Sequence, residues 1–312
     1  MIDFCGIELE HPIINGSGTF DAIAARRAFG DALLDAFPFS AFVSKTITLL
    51  PREGNPPPRL WEAQAGLINS IGLPNRGLHG YLEHDLPRLA ELPVPLITNV
   101  MGSTAAEVAQ LVEALDERAE VAAIELNVSC PNVATGLDIG ADPVSLAALV
   151  RALRPLTRKP LIVKLTPNTA DVAAVAVAAE AEGADAVSLI NTLRATAFAP
   201  GAGSRPWLGG VTGGLSGPAV RTVALAQVAA VARRVGVPIV GMGGVCSGRD
   251  ARDLMLAGAT LVAVGTESFR DAAAGTRIAR ELKSLQIAGS GSTTLNESEA
   301  QVEVDMNSAD SG

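Results

Sequence analysis

Residues 161–190 read LIVKLTPNTADVAAVAVAAEAEGADAVSLI. Two short apolar runs, Leu161–Leu165 and Ala186–Ile190, flank an Ala-rich segment of helical period, Ala170–Glu182. Runs apolar at every position suit strands buried on both faces, and a strand–helix–strand unit pairs its strands in parallel. The same unit recurs outward in both directions. Further apolar runs lie at Ile13–Gly16, Ala41–Lys45, Pro95–Asn99, Ala122–Asn127, Ile239–Gly241 and Leu261–Val264, which makes eight candidate strands. Amphipathic stretches at Ala105–Arg118, Pro143–Leu153, Gly217–Val235 and Arg249–Ala257 fall between them. Eight repeats favour closure over an open, doubly wound sheet, and no Gly-x-Gly-x-x-Gly follows the first strand to suggest a Rossmann domain. The reading is an α/β chain with a single (β/α)8 TIM barrel, for which 312 residues is an ordinary length.

Composition agrees. Hydrophobic residues make up 48% of the chain and aromatics only 4%, so the core must be built from Ala, Val, Leu and Ile. Met1–His11 alternates around Gly6 and suits a small hairpin capping one end of the barrel. Two Pro- and Gly-rich connections, Thr46–Arg76 and Leu193–Ser216, are long, and both follow strands; in a barrel the loops after strands form the catalytic face. Residues 1–287 are expected to form the barrel and residues 288–312 a polar, disordered tail. A net charge of -9 without a Lys/Arg cluster argues against nucleic acid. The N-terminus has no signal-peptide pattern, and no run is long and apolar enough to suggest a membrane span. Cys5, Cys130 and Cys246 are scattered, with neither disulfide nor metal-ligand spacing, and a reducing cytoplasm is the natural location.

Chemistry collects where the strands end. These ends carry Ser17-Gly18, Lys45-Thr46, Asn99, Glu125-Leu126-Asn127, Lys164, Asn191-Thr192, Gly243-Gly244 and Gly265-Thr266. Lysines and asparagines within apolar strands are costly unless they bind something, and a barrel would bring all of them to one mouth. Glycines after strands seven and eight suit a phosphate held by backbone N–H groups. Lys45 and Lys164 suit a Schiff base, a phosphate clamp or a charge stabiliser, and residue chemistry alone does not choose. In Asn127-Val-Ser-Cys-Pro-Asn132 a thiol sits on a loop just past a strand. The three histidines, His11, His79 and His84, are all in early segments, which leaves acid–base work by the thiol more plausible than a Cys–His nucleophile.

With these residues in view, the chain resembles the class 1 dihydroorotate dehydrogenases. The resemblance rests on Ser44–Arg59, Leu67-Ile-Asn-Ser-Ile-Gly-Leu-Pro-Asn75, Asn127–Asn132, Val163-Lys-Leu-Thr-Pro-Asn168, Ile190-Asn-Thr192, Gly213-Gly-Leu-Ser-Gly-Pro218, Gly241-Met-Gly-Gly-Val245 and Val264-Gly-Thr266. It implies FMN at the barrel mouth. Ser17, Gly18, Lys45, Thr46, Asn99, Asn127, Lys164 and Ile190 would meet the ring and ribityl parts, and Gly217, Gly243, Gly244, Gly265 and Thr266 the lower chain and phosphate. Lys45, Asn69, Gly72, Leu73, Asn127, Asn132, Asn191 and Thr192 would hold dihydroorotate, whose N–H and C=O groups asparagine can read as both donor and acceptor. The implied catalytic residues are Cys130, removing the C5 proton while hydride leaves C6 for flavin N5, and Lys164, opposing charge on the reduced flavin. No metal is implied.

A cysteine base places the resemblance in class 1. The stretch Val133–Pro143, Asn99 and the Gly213–Pro218 block are similar to the 1B group, which passes electrons to NAD through a separate subunit carrying FAD and an iron–sulfur cluster. This chain's three scattered cysteines could not ligate such a cluster themselves. The resemblance also implies a homodimer and a place in pyrimidine biosynthesis. Other readings are a flavin-dependent dihydropyrimidine dehydrogenase, which shares the Asn-x-Ser-Cys-Pro motif but needs no carboxylate site, a tRNA dihydrouridine synthase, which the acidic charge disfavours, and an inactive FMN-binding subunit. Two stretches depart from the family pattern: Arg194–Trp207 is more Ala/Gly-rich than expected, and nothing past Leu285 matches.

Overall fold

The computed structural model describes residues 1–128, 139–199, 201 and 205–290. All eight expected strands form one parallel sheet. Its order is Ile13–Asn15, Leu261–Val264, Ile239–Met242, Ala186–Leu189, Leu161–Lys164, Val121–Asn127, Leu96–Val100 and Phe42–Val43. The sheet curls until its edge strands, the first and second in sequence, meet.

A side chain closes that seam. Asn15 is fully buried; its Nδ2 donates to Val43 O at 2.8 Å and its Oδ1 accepts from Val43 N at 2.8 Å. The amide thus does for Val43 what a paired strand would do, and Ser40 N adds a bond to Ile13 O at 3.0 Å. Asn15→Ala removes both bonds and leaves a buried N–H and C=O unpaired, so a loss of about 2–4 kcal/mol is expected. Urea denaturation of the purified protein measures it; an unchanged midpoint would show that the seam does not depend on Asn15.

Ile2–Phe4 and Ile7–Leu9 form the expected N-terminal hairpin, turning at Cys5 and Gly6, both at positive φ. Phe4 and Leu9 pack with Ile14, Val43, Ile97 and Ile162 as the floor of the barrel. A larger core lies between the strands and the outer helices. Asp21, Thr104, Asp142, Asp171 and Ser247 cap the helices Ala22–Phe29, Ala105–Asp116, Pro143–Leu153, Val172–Ala181 and Gly248–Leu256, each accepting from a backbone N–H inside the first turn.

Three features differ from the sequence reading. The helix expected from Gly217 begins at Arg221, after a 3-10 turn over Pro218–Val220, because Gly217 has φ +84 and cannot be helical. The last helix, Ala274–Ser290, continues past the expected boundary at 287, with Ala274, Ile278 and Leu282 buried in one helical row; residues 291–312 lie outside the described residues. The two long connections are not only loops. Leu193–Ala195, Gly213–Ser216, Gly66–Asn69 and Leu60–Ala63 pair as a four-stranded antiparallel sheet. Trp61 and Trp207 meet edge to face across it, with ring centroids 5.7 Å apart, and Trp207 Nε1 donates to Leu60 O.

Candidate active site

Side chains alternate along a strand, so every second residue faces the barrel axis. Ile97, Ala123, Ile162 and Ala186 belong to the floor cluster. Two residues on, toward the strand C-termini, the same inward face carries Asn99, Glu125, Lys164 and Ser188, and a further step on the fourth strand carries Asn127. The apolar floor therefore gives way to a polar layer, and all of that layer except Asn127 is nearly inaccessible: Asn99 and Ser188 are 0% exposed, Glu125 3% and Lys164 6%.

The layer is only partly satisfied from within. Asn99 Nδ2 and Ser188 Oγ both donate to the Glu125 carboxylate, the latter at 2.7 Å, and Asn99 N is bound to Ser44 Oγ at 3.1 Å. Asn99 Oδ1 is buried and receives no hydrogen bond. The Lys164 backbone is paired in the sheet, but its ammonium makes no hydrogen bond or ion pair with a described residue. A buried carbonyl oxygen without a partner is costly unless a ligand meets it, and an ammonium on a buried stem beside it is open to the same ligand.

At the neighbouring strand ends, Ser17 Oγ donates to Ser44 O at 2.8 Å and lies 3.4 Å from the buried Thr46 Oγ1. Gly18, at φ +72, sits against Lys45. Lys45 lines a cavity of about 390 Å³ with Gly18, Thr46, Asp21, Asp85 and Tyr81. Desolvation lowers its pKa, partly offset by Asp21 and Asp85.

The residues expected at the phosphate end converge. Gly217, Gly243 and Gly244 have φ of +84, +130 and +72. A Cβ on Gly244 would lie 2.9 Å from Gly217 O and 2.8 Å from Arg221 Cβ; one on Gly243 would lie 3.2 Å from Ile190 Cγ1. Thr266 Oγ1 donates to Ser216 Oγ at 2.8 Å, and Gly265 precedes the 3-10 turn Thr266–Phe269. Arg221 itself is held by Asp250 and Asp253, so the cradle is built mainly from backbone. Gly244→Ala combines a strained φ with a clash. It is expected to weaken FMN binding about tenfold or more, the conformational term alone being about 1 kcal/mol. Flavin content after purification is the measure, and full occupancy would remove Gly244 from the cradle.

The expected substrate residues are partly assembled by the antiparallel sheet. Asn69 Nδ2 donates to Gly214 O at 3.2 Å, and a Cβ on Gly214 would lie 1.9 Å from Thr192 Oγ1. Thr192 N is bound to Asn191 Oδ1 at 2.8 Å. Gly72 and Leu73 turn at φ +76 and +55. Asn168, not singled out from the sequence as a site residue, ties two strand-end loops together, donating to Thr192 O at 3.0 Å and accepting from Arg194 N at 2.9 Å. Glu125 and Ser188 were also missed as site residues. A glutamate inside an apolar run is a visible signal, but its partners are 26 and 63 residues away. Cys130 and Asn132 lie outside the described residues.

The other two cysteines do not suit base chemistry. Burial first, then nearby carboxylates, pushes the thiols of Cys5 and Cys246 up to about 11, so both stay protonated near neutral pH. His11 precedes the first strand, at the opposite end of the barrel; His79 and His84 lie beside Glu83 on the helical segment Gly77–Leu89. Among the described residues, no group of His, Cys, Asp and Glu could hold a metal ion, and no helix is long and apolar enough to cross a membrane.

These residues fit FMN. The ring is an edge of alternating N–H and C=O groups, which an unpartnered acceptor and an unpartnered ammonium would complement, and the glycine cradle suits a phosphate.

The profile of one family, dihydroorotate dehydrogenase, matches residues 1–285. The chain is 46% identical over 279 residues to a protein of Geobacter sp. (strain M21), covering 89% of this chain and 90% of that one. It is 43% identical over 300 residues to one of Geobacter metallireducens, covering 95% of both, and 45% identical over 286 residues to one of Desulforudis audaxviator, covering 90% and 91%. All three are named dihydroorotate dehydrogenase B (NAD(+)), catalytic subunit. The chain belongs to the dihydroorotate dehydrogenase family, as an oxidoreductase similar to its NAD-linked B-type catalytic subunits.

Proposed function

We propose that this chain oxidises dihydroorotate to orotate with FMN, as the catalytic subunit of a class 1B enzyme in pyrimidine biosynthesis. The observation that carries the reading is Lys164: an ammonium on a largely buried stem, with no partner among the described residues, on the inward face one strand from Asn127 and one from Ser188.

FMN, when bound, supplies the hydride acceptor. The chain's own residues do the rest. Cys130 takes the C5 proton, so that loss of hydride from C6 leaves the C5=C6 double bond of orotate. Lys164 holds positive charge where electrons arrive. Asn69, Gly72, Leu73, Asn127, Asn132, Asn191 and Thr192, with Lys45, bind the pyrimidine ring and its carboxylate. Gly217, Gly243, Gly244, Gly265 and Thr266 hold the phosphate, and Ser17, Gly18, Thr46, Asn99 and Ile190 the rest of the flavin.

Electrons leave to NAD through a partner subunit carrying FAD and an iron–sulfur cluster, and two copies of this chain form the core of a cytoplasmic assembly. The relatives' shared designation as a catalytic subunit supports a partner. Co-purification from the native host is expected to bring the partner down; a chain that always isolates alone and reduces fumarate would exclude it.

The main test is anaerobic mixing of the flavin-loaded protein with dihydroorotate. Rapid loss of the visible flavin band is expected. A flavin-loaded protein that dihydroorotate fails to bleach but dihydrouracil does would transfer the reading to a dihydropyrimidine substrate.

A further inference from the structure

We infer that Glu125 is a positioning residue whose task is to orient the amide of Asn99. The inference rests on the FMN reading above and goes beyond it, because Glu125 is not among the residues expected to touch flavin or substrate.

Glu125 is 3% exposed, on the inward face of the fourth barrel strand. Its neighbour in register on the third strand is Asn99, and its reach extends past the fifth strand to Ser188 on the sixth. Both contacts are donated to it, by Asn99 Nδ2 and by Ser188 Oγ. A buried carboxylate met by two neutral donors, with no ion pair among the described residues, is costly to bury, so its use calls for a reason beyond packing. What a carboxylate provides is direction. It only accepts, so it selects the Nδ2 end of Asn99 and leaves Oδ1 to look elsewhere. That oxygen is the buried atom left without a partner.

A primary amide is nearly symmetric in shape, and without Glu125 either end could be presented to a ligand. With Glu125 in place the site offers an acceptor. A bound flavin must then present an N–H or O–H at that point, and a ligand edge presenting only acceptors there is rejected. The predicted consequence is on cofactor affinity, separate from the chemical step.

The experiment is titration of the FMN-free protein with FMN, followed by quenching of flavin fluorescence, together with thermal unfolding of each apo-protein. Asn99→Ala and Glu125→Leu are each expected to weaken FMN binding about tenfold, the size of one lost hydrogen bond. The double variant is expected to be no weaker than Asn99→Ala, because the two residues act as one unit. Glu125→Gln should weaken binding, though less than leucine does: its amide can turn either Oε1 or Nε2 toward Asn99, so it no longer selects which end of the Asn99 amide faces the ligand. Glu125→Asp keeps the charge without the reach to both partners, and should weaken binding as Asn99→Ala does; it carries the test if leucine does not fold. The apo-protein of Glu125→Leu is expected to unfold earlier than the wild type, since Asn99 Nδ2 and Ser188 Oγ lose their acceptor, so FMN affinity is compared only between variants whose apo-proteins are folded at the titration temperature.

Wild-type affinity in both Glu125→Leu and Glu125→Asp, or losses in the double variant that multiply, would overturn the inference while leaving the FMN reading intact. A wild-type apo-protein that does not take up FMN would overturn both.

Discussion

In a Cys130→Ala variant, reduction of bound flavin by dihydroorotate is expected to slow by about 10²–10⁴-fold at neutral pH, the ordinary contribution of a positioned general base, with FMN content unchanged. The described residues offer no substitute. Cys5 and Cys246 are held protonated by burial. Tyr81 is pushed up to about 12 by burial and bonded to Thr98. Glu125 is committed to Asn99 and Ser188, His79 and His84 stand exposed beside Glu83, and His11 precedes the first barrel strand. A serine at position 130 is a much weaker base near neutral pH, so Cys130→Ser should retain activity that grows as pH rises. Stopped-flow absorbance measures both variants. A Cys130→Ala protein that bleaches at the wild-type rate would assign the proton to another group.

Lys164→Met has the second largest expected effect, and it divides function from stability. Methionine matches the volume of the lysine stem but removes the ammonium. Flavin reduction is expected to slow by about 10²-fold, from loss of charge stabilisation in a water-poor site, and FMN retention to fall. The apo-protein should be at least as stable as the wild type, because the largely buried Lys164 side chain makes no hydrogen bond or ion pair with a described residue. Stopped-flow reduction and urea denaturation of the apo-protein give the two numbers. Slower reduction with lower apo stability would mean that Lys164 has a structural partner. A normal reduction rate would remove it from the chemistry.

The barrel was legible because its signals are local. Eight apolar runs separated by helical periods require only near neighbours to be read, and all eight became strands. The site was half legible for the same reason: a lysine or an asparagine ending an apolar run, as at Lys164 and Asn99, is conspicuous within a few residues. Glu125 was equally conspicuous but had no role, since a carboxylate's meaning lies in its partners and those stand on other strands. Asn15 gave no sign at all, because the seam it closes exists only once the barrel is formed. The sheet joining Leu60–Ala63 and Gly66–Asn69 to Leu193–Ala195 and Gly213–Ser216 was read as two loops, since its strands are short and its halves well over a hundred residues apart.

By itself, then, the amino-acid sequence determined the period of each element, and with it the parallel barrel, its polar mouth and the family. Only the tertiary structure decided which polar groups at that mouth satisfy one another and which are left open. Periodicity is a property of neighbours along the chain, whereas hydrogen-bond partnership inside a closed barrel depends on which strands lie side by side and on which face each residue points.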